Sequence, residues 1–137
     1  MDIVQLKCGA KIYPSKIISH PKGNILHGLK RSDSGFVDFG EVYLSSIGCG
    51  EIKGWKKHRK MTMNLLVPVG SIAFHFESDD GTLKEKIFLG ESNYCRLFIP
   101  PDVWMAFEGV GTSLNLLMNI ASIEHDPDEA LIREFLR

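Results

Sequence analysis

Lys56, His58 and Lys60 stand two residues apart in a cationic run, Lys53-Gly-Trp-Lys-Lys-His-Arg-Lys60, that passes directly into Met61-Thr-Met-Asn-Leu-Leu-Val67. In an extended chain, side chains alternate between two faces. One face then carries Lys56, His58, Lys60, Thr62 and Asn64, and the other carries Lys57, Arg59, Met61, Met63, Leu65 and Val67. If the polar row lines a cavity, Lys56, His58 and Lys60 can hold an anion such as a diphosphate. If it faces water, it is a charged strand edge of the kind that blunts unwanted pairing. Composition leaves both readings open. Trp55 and Trp104 are either core residues or platforms for a base or sugar, and Tyr43 and Tyr94 are strand residues whose facing the sequence does not fix.

Other chemistries find little purchase. A histidine metal site needs two or three converging ligands, often as His-x-His on one strand. His20, His27, His58, His75 and His125 are dispersed, and Lys56 occupies the place a same-face ligand to His58 would need. No bound metal is therefore expected. There is no Gly-x-Ser-x-Gly elbow, no cysteine in an activating neighbourhood, and no glycine-rich loop opening a helix.

The elements that must position the polar row are short strands. The chain of 137 residues is expected to form one domain. Its 44% hydrophobic and 24% charged residues suit a soluble globular fold. A net charge of −1 argues against nucleic-acid binding by bulk electrostatics. Three cysteines without Cys-x-x-Cys spacing suggest a reducing compartment. With neither a signal peptide nor an apolar run of membrane-spanning length in view, a cytoplasmic location is expected.

From Phe36 onward, apolar runs recur about every ten residues between turn formers such as Gly48-Cys-Gly50, Ser78-Asp-Asp-Gly81 and Pro100-Pro-Asp102. That rhythm predicts an antiparallel all-β sandwich or barrel. At the end, Asp126-Pro-Asp-Glu129 supplies helix-start signals, and Leu131, Ile132, Phe135 and Leu136 follow at helical spacing. These predict a short C-terminal helix over about 127–137.

Several stretches in order carry a family resemblance. Gly40-Glu-Val-Tyr-Leu-Ser-Ser-Ile47, Ile52-Lys-Gly-Trp55 with His58 and Lys60-Met-Thr-Met-Asn64, and Val67-Pro-Val-Gly70 are followed by Phe98-Ile-Pro-Pro-Asp-Val-Trp-Met-Ala-Phe107 and Ile123-Glu-His-Asp-Pro-Asp-Glu129. Over about residues 36–130 the chain resembles the dTDP-4-dehydrorhamnose 3,5-epimerase family and its short relatives. The resemblance implies a double-stranded β-helix, or jelly roll, with a cupin core at about 36–123. It further implies a homodimer, a nucleotide-sugar ligand, no metal and no cofactor.

The family's chemistry is proton transfer beside the 4-keto group of a nucleotide-linked hexose, with a histidine base supported by an aspartate and a tyrosine acid on the opposite face. By the resemblance, the base position is Lys56, a second histidine falls at His58, and a substrate-contacting lysine at Lys60. A further family histidine matches Met105, and the later tyrosine matches Leu117 or Met118. The expected site is therefore His58 as base, Tyr43 or Tyr94 as acid, and Lys56, Lys60, Thr62, Asn64 and Trp104 as substrate contacts. Two functions follow: a sugar-nucleotide epimerase or isomerase, or a binding domain that keeps the cavity without catalysis.

Overall fold

The computed structural model describes residues 3–134, and nearly all of their regular structure is strand. In chain order the strands are β1 (Val4–Gln5), β2 (Lys11–Pro14), β3 (Ile17–Ile18), β4 (Ile25–Leu26), β5 (Glu41–Ser46), β6 (Ile52–His58) and β7 (Met63–Val69). They continue as β8 (Ser71–Glu77), β9 (Lys84–Gly90), β10 (Cys95–Ile99), β11 (Trp104–Gly109), β12 (Leu116–Ala121) and β13 (Ala130–Ile132). One sheet has the order β1-β2-β10-β7-β12-β5 and the other β13-β6-β11-β8-β9, while β3 and β4 form a separate hairpin. The result is all-β, as the strand rhythm predicts, and is the jelly roll that the family resemblance implies.

The turn between β7 and β8 shows why the sequence folds this way. Gly70 sits at φ 81°, and a Cβ placed on it would meet Asn115 Oδ1 at 2.3 Å and the Leu114 carbonyl oxygen at 2.4 Å. Only glycine suits both the left-handed backbone and the close approach. Gly70→Ala is expected to cost about 2–5 kcal/mol, the sum of the backbone and overpacking penalties. A chemical denaturation midpoint at the wild-type value would refute that account.

Between the sheets, Ile72, Phe74, Phe76 and Leu89 meet Leu65, Val67, Leu97 and Ile99, none more than 1% exposed. Each such burial contributes about 1.5–3 kcal/mol relative to exposure. These side chains fill one end of the sandwich, with Leu65 also bordering the space beyond. The other end, between β6 and β11 on one wall and β12 and β5 on the other, stays open.

Three features differ from the sequence expectations. First, β1 and β2 join the six-stranded sheet, so it begins well before residue 36. Leu97 of β10 pairs with Ile12 of β2, which packs on the core.

Second, the helix predicted over 127–137 is a single 3-10 turn, Pro127–Glu129, followed by β13. The start signals are real, since the Asp126 side chain accepts from the Asp128 amide with Pro127 at the first position. The edge of β6 then offers an unpaired ladder, and Ala130, Leu131 and Ile132 pair there with His58, Lys57 and Lys56. Phe135 and Leu136 lie outside the described residues.

Third, the alternation read across 53–67 is broken twice. On β6, Lys53 to Lys56 spans three residues where Phe107 to Met105 on β11 spans two, a bulge that turns both lysines to the same face. Residues 59–62 then leave the strand conformation. The second break resets the parity, so Lys56 and His58 share the interior with Met63 and Leu65, not with Thr62 and Asn64. No helix among the described residues is long and apolar enough to cross a membrane.

Candidate functional site

The open end is a cavity of about 260 Å³. Lys53, Lys56 and His58 of β6 and Met105 and Phe107 of β11 form one wall. Tyr43 and Ser45 of β5, Leu117 and Asn119 of β12, and Met63 and Leu65 of β7 face them.

His58 is fixed from several directions. Its strand pairs on one edge with β11 and on the other with β13. Its carbonyl accepts from the Asp102 amide at 2.7 Å, where the Pro100-Pro101 turn folds back. Its ring Nδ1 bonds Glu129 Oε1. A carboxylate only accepts, so Nδ1 carries a hydrogen, and in the neutral ring Nε2 holds the lone pair at the cavity that the ring lines. This is the arrangement that orients an imidazole as a base.

Glu129 is 3% exposed, yet its charge is well met. Its second oxygen accepts the backbone amides of Arg59 at 3.1 Å, Lys60 at 3.0 Å and Met61 at 3.3 Å. The same turn that breaks the strand parity thus points three N–H groups at one carboxylate. Burial works against the charged form. The hydrogen bonds from His58 and from the Lys60 and Met61 amides outweigh it and hold the carboxyl below its ordinary range.

The two cavity lysines differ. Lys53 Nζ donates to the Ser46 carbonyl at 3.0 Å and lies 5.7 Å from the centre of the Phe107 ring. The Lys56 ammonium has no hydrogen-bond, ion-pair or ring partner among the described residues. On the facing wall, Tyr43 Oη accepts from Asn119 Nδ2 at 2.7 Å. Burial, with help from the Glu41 and Glu129 charges, pushes the Tyr43 phenol up against the opposing pull of the Asn119 bond, so it keeps its proton at neutral pH.

Of the residues singled out from sequence, the cavity brings together Lys56, His58 and Tyr43. Tyr94 lies elsewhere and donates to the His27 carbonyl at 2.8 Å. The Asn64 side chain bridges the Gly35 carbonyl and the Arg96 guanidinium, which stacks 4.3 Å above Tyr13. Thr62 is buried and its amide donates to Ser122 Oγ at 2.8 Å. Lys60 borders a surface cleft with Asp126 and Asp128. Trp104 packs with Trp55 on the outer face, its indole N–H on Asp79 at 2.8 Å and Arg133 4.5 Å from its ring centre.

Glu129 was not among the expected site residues. It stands 71 positions from His58, and its place after Asp126-Pro127 reads as an ordinary helix-start acid. Among the described residues, no three His, Cys, Asp or Glu side chains converge as metal ligands do.

Comparison with known proteins adds relatives to this geometry. The family model described as "FdtA: WxcM-like, C-terminal" matches residues 9–136. A dTDP sugar isomerase from Desulfovibrio desulfuricans G20 is 31% identical, with 92% of this chain and 84% of that chain covered and a TM-score of 0.85. QdtA, a sugar 3,4-ketoisomerase from Thermoanaerobacterium thermosaccharolyticum solved with TDP, is 20% identical over 89% of this chain and 86% of that one, with a TM-score of 0.77. The rmlC epimerase of Mycobacterium tuberculosis is 16% identical over 96% and 72% of the two chains, with a TM-score of 0.81. At these lower identities, the last two share the fold. No curated protein sequence matches the chain.

Proposed function

Since the chain belongs to the WxcM-like, C-terminal family, we propose that it is a metal-independent isomerase that moves protons on a nucleotide-linked 4-keto hexose and shifts the ketone to the neighbouring carbon. The observation that carries this reading is the buried His58–Glu129 pair opening on the cavity. The carbon next to a ketone carries an acidified hydrogen. His58 Nε2 takes that proton, leaving an enediolate, and returns it to the former carbonyl carbon, while the hydroxyl proton passes from one oxygen to the other. A single base on one face is enough for this transfer. Where the family resemblance puts a further histidine and a tyrosine, the cavity presents Met105 and Leu117. Tyr43, on the facing wall, keeps its proton and is the candidate hydrogen-bond donor to a substrate oxygen.

The cavity volume falls just below the roughly 300–1,000 Å³ of sites that enclose a whole drug-sized ligand. It suits a sugar ring, with the nucleotide lying across the mouth. The test is to incubate the protein with a dTDP-linked 4-keto hexose in deuterium oxide and follow the ring protons by NMR. Ring deuterium and a relocated ketone are expected. Saturable binding without exchange would instead favour a non-catalytic sugar-nucleotide-binding domain.

The two tyrosines give a second test. Tyr43→Phe is expected to slow exchange about tenfold or more. Tyr94→Phe is expected to leave exchange unchanged and to lose about 1 kcal/mol of stability with its hydrogen bond. The reverse pattern would move that donor to Tyr94.

A homodimer is part of the same proposal. Val42 and Leu44 on β5 and Ile17 and Ile25 on the small hairpin are 43–56% exposed, apolar surface that association would cover. A monomer by light scattering at micromolar concentration would remove it. Three cysteines without Cys-x-x-Cys spacing suit a reducing, cytoplasmic setting, which belongs to the same reading.

A further inference from the structure

Resting on the isomerase reading, we infer that Lys56 carries the hydroxyl proton between the two substrate oxygens while His58 carries the carbon-bound one. A ketone shift needs both transfers. The C–H proton leaves one carbon and arrives on the next; the O–H proton leaves the oxygen that becomes the carbonyl and arrives on the oxygen that ceases to be one. A group that serves the oxygens must hold a proton to give, release it, and regain one from the neighbouring hydroxyl.

Lys56 meets the positional requirement. It lies two residues before His58 on the same strand and lines the same cavity. Residues so placed are about 6.6–6.8 Å apart along the strand. The flexible four-carbon stem of lysine brings its ammonium within that span, so it can reach an oxygen while the imidazole reaches the adjoining carbon. Its ammonium has no partner among the described residues, whereas neighbouring Lys53 is tied to the Ser46 carbonyl and the Phe107 ring. Across the ladder Lys56 faces Met105, which offers it no charge. The cavity lining contains no carboxylate either, because Glu129 is held behind His58.

The transfer balances without another reactant. The Lys56 ammonium gives a proton to the oxygen of the original ketone as charge builds there, and the resulting amine takes the proton from the neighbouring hydroxyl. Lysine ends the cycle as it began. His58 likewise takes one proton from carbon and returns one to carbon. Before its proton moves, the ammonium also stabilises the enediolate charge.

The test separates the two proton transfers in the intact protein. Ring deuterium exchange reports the His58 task, and relocation of the ketone requires both. Lys56→Met removes the proton and the charge at similar length. Lys56→Arg keeps a charge but cannot release a proton in this pH range.

Lys56→Met is expected to cut ketone relocation about 10²–10⁴-fold and exchange by less. Lys56→Arg is expected to recover part of the exchange and leave relocation low. The Kd for dTDP should stay within a few-fold of wild type in both. Relocation at the wild-type rate in either variant would overturn the inference. So would recovery of exchange and relocation together in Lys56→Arg, which would reduce Lys56 to a fixed charge, or a loss of dTDP affinity with turnover at saturation unchanged, which would make it a phosphate contact. If wild type itself shows no exchange, the isomerase reading falls first, and that result is distinct from a defect confined to the variants.

Discussion

His58→Asn is expected to lower ring deuterium exchange by about 10²–10⁴-fold while leaving dTDP binding nearly unchanged. The magnitude is that of a positioned general base. The selectivity follows from where the side chain sits. Only 7% of His58 is exposed, and Nδ1 is committed to Glu129. Asparagine keeps a donor that can reach the same carboxylate, so the buried charge retains a partner and the fold is preserved. It has no second nitrogen with a lone pair to accept a proton. The rest of the lining, Lys53 included, is untouched, so an anionic ligand should still bind. Equal exchange in the folded variant and in wild type would remove His58 from the mechanism. Proportional loss of exchange and binding would recast it as a ligand contact.

The parts of this site that the sequence disclosed were those set by local rules. The strand rhythm predicts an all-β sandwich or barrel because turn residues and apolar runs are short-range signals, and Gly70 marks one of those turns with a backbone that only glycine suits. Lys56 and His58 shared a face because nothing interrupts β6 between them. Thr62 and Asn64 were assigned to that face by extending a period of two through residues 59–62, where the chain leaves the strand. A period of two carries no information past such a break. Glu129 failed for the complementary reason. The 3-10 turn was visible in Asp126-Pro127, but pairing of the next three residues with β6 depends on a free strand edge, a tertiary fact. Tyr94 and Tyr43 are both strand tyrosines, and only the sheet arrangement separates the one bound to the His27 carbonyl from the one in the cavity.

Replacing Glu129 should separate holding the turn from orienting the base. Glu129→Ala removes the acceptor for three backbone amides and for the His58 ring. The expected loss is about 3–5 kcal/mol, that of breaking a buried pair by deleting one member. Glu129→Gln keeps a carbonyl oxygen that can stay on the amides, and turns its NH₂ toward Nδ1. That donor forces the imidazole into the tautomer with hydrogen on Nε2, the wrong form for a base. A folded protein with exchange slowed about 10²–10⁴-fold is the expected outcome, comparable to losing the base itself.

Stability against pH gives an independent readout. The folded carboxyl sits below the ordinary glutamate value of 4.5. Its contribution is therefore fully present above that value and is lost as pH falls through the lower, folded one. Wild type should lose stability across that acidic window, and Glu129→Gln should lose less there. Full exchange activity in Glu129→Gln would leave Glu129 as a clasp for the 59–61 turn alone. An unchanged acid limb would mean that the carboxylate is not charged in the folded protein, and the orientation of His58 would need another source.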